Sequence, residues 1–106
     1  MARTFGQFNP ALTMAIRRVA RDSANVAFKP HAEEEMDNDG FDHDDVLRCL
    51  RRGGAHGPEN HGRNEVRSNV LYLGTHIRVV VGRLEDCEGD WTKLEKITVE
   101  TVMRSD

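Results

Sequence analysis

The sequence predicts an α+β fold: two to three helices packed on one face of a small antiparallel β-sheet. Three observations carry this. Apolar residues recur at helical spacing in three segments of the first half, over 10–21, 31–36 and 42–52. From residue 66 onward the pattern changes to alternation, in three runs close enough in sequence to pair as an antiparallel meander. Helices therefore precede strands instead of interleaving with them, which separates a helical layer from a sheet. The 106 residues fit one domain with one modest core. Residues 1–24, with an N-terminal helix, and residues 25–106 belong to that same domain.

Each element has a local reason. Asn9-Pro10 is a helix start, with Asn as the cap and Pro at the first helical position. Leu12, Ala15, Ile16, Val19 and Ala20 give that helix its apolar stripe, and Arg17, Arg18 and Arg21 gather near its end, where cations suit the helix dipole. Those arginines read as a solvated helix end or, alternatively, as a phosphate-contacting surface. Residues 25–29 (NVAFK) form a short β-like run closed by Pro30. His31–Met36 reads as a short helix with Ala32 and Met36 inward, stopped by Gly40. Asp42 caps the next helix, whose inner face is Val46, Leu47, Cys49 and Leu50, and Gly53-Gly54 ends it. Residues 55–65 (AHGPENHGRNE) carry no apolar pattern and read as a loop. Strands follow at 66–73, 76–85 and 93–104. In the last, Ile97, Val99, Thr101 and Met103 fall on one face and Lys96, Thr98, Glu100 and Arg104 on the other.

Composition excludes several classes. Hydrophobic residues make up 38% of the chain in periodic segments, so a globule is expected and not a disordered chain. No apolar run approaches the length of a transmembrane helix, and MARTFGQFNP lacks the apolar stretch of a secretory signal. The expected location is cytoplasmic, with Cys49 and Cys87 as free thiols. The net charge of −3 hides a segregation. Residues 1–30 hold five basic and one acidic side chain, residues 31–45 hold eight acidic and none basic, and residues 46–106 hold ten basic and nine acidic. A basic face for nucleic acid can therefore coexist with an acidic total.

The acidic stretch HAEEEMDNDGFDHDDV invites a calcium test. With Gly40 at the sixth position of an EF-hand loop, Glu35, Asp37 and Asp39 fall on ligand positions, but the twelfth is Val46 and the bidentate carboxylate is missing. His56 and His61 share the glycine-rich segment without a third ligand at a recognised spacing, so no metal and no cofactor is expected. His31 is the stronger candidate for acid–base work. Glu34 and Glu35 lie three and four residues on, on the same helix face, where a carboxylate can orient the imidazole. The glycine-rich segment lacks the spacing of a phosphate-binding loop. On the strands, Arg67 and Arg78 are basic candidates, Arg78 as an exposed arginine on the face away from Ile77, Val79 and Val81.

The run VAFKPHAEEEM, then GF, DDV, a glycine-rich segment and a closing ITVETV, resembles the bacterial domain family of unknown function numbered 4258 over about residues 25–103. The resemblance implies kinship with the RelE/ParE-like and BrnT-like toxins of toxin–antitoxin modules. These are small α+β domains, many of them metal-independent ribonucleases in which basic and acid–base side chains assist attack by the RNA 2′-hydroxyl. On that reading His31 is the acid or base, Arg67 and Arg78 stabilise charge on the phosphate, and Thr101 positions a hydroxyl. RNA is then expected on the sheet side, near Arg67, Arg78 and residues 53–65, a segment that includes Arg63. The chain departs from the family where Glu35 and Asp39 stand at positions that often carry Arg, which weakens attraction to a phosphate backbone there. The alternative reading is a non-catalytic module that binds an antitoxin or another basic protein surface through its acidic helix pair, Glu35 included.

Overall fold

A computed structural model describes residues 6–105. Three α-helices and a five-stranded mixed sheet form an α+β domain: α1 (Pro10–Ala20), β1 (Val26–Phe28), α2 (Pro30–Asp39), α3 (His43–Arg52), β2 (Gly54–Asn60), β3 (Val66–Tyr72), β4 (Ile77–Gly82) and β5 (Ile97–Arg104). Short 3-10 turns at Ser23–Asn25, Leu84–Cys87 and Trp91–Lys93 fill the connections. The strand order is β1-β5-β4-β3-β2.

The helix boundaries follow from capping chemistry. The Asn9 side chain accepts the Leu12 N–H, and Pro10 opens α1. Asp42 and Asp45 form a reciprocal capping box at the start of α3. Gly40 ends α2 in the left-handed conformation at φ 76°, with its N–H donating to the Met36 carbonyl. Past the end of α3, Gly53 is required for room and not for its torsion. A Cβ there would stand 2.5 Å from the Cys49 carbonyl oxygen and 2.7 Å from that of Leu71.

The last turns of α1 and α3 meet, and an arginine from each secures the other. Arg17 donates from Nε and Nη2 to the Gly53 carbonyl (3.2 and 3.0 Å) and from Nη2 to that of Arg52 (2.9 Å). Arg51 donates in return to the carbonyls of Ala20 (2.7 Å) and Arg21 (3.3 Å). Helix-end carbonyls lack intrahelical partners, so both cations answer a demand that the fold itself creates.

The sheet departs from the expected antiparallel meander in three ways. First, β1 pairs in parallel with β5, Val26 opposite Ile97 and Phe28 opposite Val99, so the sheet is mixed. Two helices separate β1 from the meander, and this long connection lets the last strand come to rest beside the first. Second, residues 54–60 form a strand where a loop was expected. Only Ala55 of that strand is buried, so no alternation marks it. Backbone pairing holds it instead: β3 lies on one side, and on the other Gly57 N–H donates to Gln7 O (2.9 Å) and Asn9 N–H to Ala55 O (2.8 Å). Pro58 sits where the register shifts between His56 and Glu59, a place that tolerates a missing N–H. Third, a bulge on β5 changes its phase. Val81 pairs with Val99 but Val80 with Thr101, so Glu100 is the extra residue. Val99 and Val102 face the helices, whereas Thr101 and Met103 turn away from them, contrary to simple alternation. Arg104 is moved to the helical side, where it donates to Asp39 O (3.0 Å) and lies 5.4 Å from the Phe41 ring centroid.

The core lies between the helices and one sheet face. Leu12, Ile16, Val46 and Leu50 from the helices meet Val70, Val79, Val99 and Val102 from the sheet, all at most 1% exposed. Cys87 is buried in the 84–87 turn beside Leu84. Two substitutions test this account through urea unfolding midpoints. Gly53→Ala should destabilise by about 2 kcal/mol or more, because backbone oxygens occupy the space its methyl needs. Asp42→Ala should cost about 1 kcal/mol, the worth of a helix cap. Equal midpoints for Gly53→Ala and the parent protein would refute the steric reading of Gly53.

Candidate active site on the open sheet face

All three helices pack on one side of the sheet, and no described helix covers the other. Register fixes what that open face displays. One row runs Gly54, Leu71, Arg78, Met103 across β2, β3, β4 and β5. The next runs His56, Asn69, Val80, Thr101. Arg67, opposite Glu59, begins a third. Three of the residues singled out in the sequence, Arg67, Arg78 and Thr101, thus share one surface. Strands lie about 4.8 Å apart, so His56 and Arg78 stand two strands, roughly 10 Å, apart laterally.

Arg78 is not the exposed arginine expected. It points to the open face but is only 7% exposed, and it is the one buried charged side chain among the described residues. Its guanidinium contacts Met103 Sδ from the neighbouring strand. A cation held in so confined a place keeps a fixed position and little water around it, which strengthens its field on any anion that reaches it. Arg67 is half-buried and paired with Glu65 at 3.2 Å. A cleft of about 200 Å³ bounded by Lys29, Glu65, Arg67, Arg83, Glu85 and Glu100 continues the face at its charged end. Arg63 is exposed in the turn between β2 and β3.

Two polar members of this face, His56 and Asn69, carry no local signal in the sequence. His56 read as a loop histidine because nothing local marks β2 as a strand. Its ring lies 5.8 Å from that of Phe8, edge-on at 62°, and Phe8 is itself 54% exposed. Only the pairing of β2 with β3 sets His56 beside Asn69, so no signal within residues 54–60 could have placed it.

His31 lies elsewhere, on the exposed side of α2, with Nε2 3.3 Å from Glu35 Oε1. The expected orienting carboxylate is therefore present. Glu35 also accepts the Val102 N–H at 3.3 Å, which closes the edge of β5 beyond the end of β1. That bond gives Glu35 a structural reason to be acidic. Part of the remaining acidic stretch is likewise tied into the fold. His43 stacks on Phe28 at 4.2 Å and bonds Glu33 at 2.9 Å, joining α3 to β1 and α2. Residues 35–39 are helical, not a calcium loop, and among the described residues no three His, Cys, Asp or Glu converge as metal ligands.

Both thiols are held above the usual thiol range. Burial pushes Cys49 up to about 12, and burial followed by the nearby Asp86 and Asp90 carboxylates raises Cys87. A negatively charged disulfide reagent at pH 8 should leave both unmodified in the folded protein and react with both after unfolding. A raised thiol pKa in the folded state also means that stability holds below the unfolded value near 9 and declines as pH rises toward 12. Rapid labelling of Cys49 in the native protein would overturn this.

No helix among the described residues is long and apolar enough to cross a membrane. Compared with protein-family models, with curated proteins and with solved structures, the chain finds no match in any of the three.

Proposed function

We propose that the chain is a RelE-like, metal-independent ribonuclease of the toxin–antitoxin kind, acting in the bacterial cytoplasm, with the open sheet face as its active site. One observation carries the proposal: Arg67, Arg78 and Thr101 share the sheet face left uncovered by the helices, together with a histidine and an amide. The reading also draws on the likeness of the run VAFKPHAEEEM and the closing ITVETV to the domain family numbered 4258, which no family-model match accompanies.

The roles follow from side-chain chemistry. Arg78 and Arg67 hold the scissile phosphate and offset the charge that grows on its non-bridging oxygens. His56 takes the proton of the 2′-hydroxyl as that oxygen attacks phosphorus. The bond from phosphorus to the 5′-oxygen breaks, and the departing oxygen takes a proton from water, leaving a 2′,3′-cyclic phosphate and a 5′-hydroxyl. Asn69 and Thr101 position the ribose and the phosphate. The acid–base role passes from His31 to His56 because His56 shares the surface with the two arginines, while His31 is engaged with Glu35 on α2. Phe8 and Leu71 give a base an apolar contact beside the reacting groups.

Purified protein incubated with a single-stranded RNA in EDTA should yield fragments ending in cyclic phosphate. His56→Ala should slow cleavage by about 10²-fold or more. Arg67→Ala should slow it by about 10²-fold, and Arg78→Lys should retain folding and lose most of the rate. His31→Ala should cleave like the parent protein. Equal cleavage by all the variants, or none by the parent, would refute the assignment. Loss of cleavage by the parent in EDTA would refute metal independence.

A further inference from the structure

A second surface lies on the helical side of the molecule. The outer side of α1, the end of α3 and the turn at 89–92 enclose a groove of about 910 Å³. Its floor is apolar: Ala11, Met14 and Ala15 of α1, with Trp91 as one wall. Met14 is 63% exposed, unusual for a large apolar side chain at the centre of a helix face. Five arginines surround this floor, and Asp90 is the one carboxylate among the lining residues.

The arginines differ in kind. Arg17 and Arg51 are fixed by their bonds to helix-end carbonyls, and Arg18 donates to the Leu94 carbonyl at 3.2 Å. These cations are already held in place, so little side-chain freedom is lost when an anion meets them. Arg21 and Arg52 are exposed, and among the described residues no hydrogen bond or ion pair engages either guanidinium. They form an exposed cationic rim.

We infer that this groove docks an acidic, amphipathic segment of another protein. A segment with apolar side chains on one face and carboxylates along its flanks satisfies floor and rim together. A nucleic acid satisfies the rim alone. Its bases need aromatic platforms in series, and the groove offers Trp91 by itself. The groove and the open sheet face lie on opposite sides of the sheet, so a docked segment leaves the proposed cleavage surface free.

Trp91 is the only tryptophan in the chain, so its emission reports directly on the groove. The probe is a synthetic peptide of about 14 residues with Leu at helical i, i+3, i+4 and i+7 spacing and Glu elsewhere. Titrated into the full chain at low salt, it should shift Trp91 emission with a Kd on the order of 10 μM. The double variant Arg21→Glu/Arg52→Glu should weaken binding at least about tenfold. Met14→Asp should weaken it comparably, which a purely ionic attraction would not require. Raising salt should weaken binding to the parent protein. An unchanged Trp91 emission, or affinity indifferent to the double variant, would overturn the inference. Tighter binding of oligouridylate than of the peptide, lost in that same double variant, would reassign the groove to nucleic acid. RNA cleavage by the parent protein should persist with the peptide bound. Failure of the cleavage proposal would leave the emission result standing.

Discussion

The meeting of the α1 and α3 C-terminal turns is the constraint on which much of the molecule rests. Two helix ends brought together leave carbonyls without partners and place two negative dipole ends close to one another. Arg17 and Arg51 resolve both problems at once by crossing from one helix to the other. The consequences spread outward. α1 is locked against the start of β2, where the Thr13 hydroxyl accepts the Ala55 N–H at 2.8 Å. The tight exit of α3 through Gly53 lets the chain turn at once into β2. The residues before α1 then pair with the outer edge of β2, which hides it from other strands.

The helices were largely legible in the sequence because each carries its own signals. Caps at Asn9 and Asp42, stops at Gly40 and Gly53, and periodic apolar faces all act within a few residues, and all sit where the structure uses them. The strands were legible only where an inner face alternates, as in β4. β2 buries Ala55 almost alone and is defined by its neighbours on both sides, which local sequence cannot display. The parallel pairing of β1 with β5 joins residues about 70 positions apart and leaves no local trace. The bulge at Glu100 is the most instructive case. A single inserted residue reverses the facing of everything after it, so strict alternation from Ile97 puts Thr101 on the core side although it lies on the open face.

The candidate site was legible in part for the same reasons. The facing of Arg78 is legible because β4 alternates around it, but its contact with Met103 from the neighbouring strand leaves no trace in β4 alone. His56 and Asn69 become neighbours only through strand pairing. The acidic stretch stands out by composition, yet four of its eight carboxylates serve the fold. Glu35 closes a strand edge, Glu33 anchors His43, and Asp42 and Asp45 cap α3. Density of charge in a sequence is thus a poor guide to a reactive centre when helix ends and sheet edges also recruit charge.

The capping box at one end of α3 and the arginines at the other have a consequence for the molecule as a whole. Carboxylates open this ten-residue helix and guanidiniums close it, with the acidic α2 beside its start and the α1 arginines beside its end. A net charge of −3 describes this particle poorly. It is an electric dipole, and approaching macromolecules would feel a torque as well as a pull. Polyanions and polycations would meet it from opposite poles, each already oriented before contact. On ion exchangers, it should be retained by resins of either sign over a window of pH, whereas a uniformly charged particle of the same net charge would bind only one.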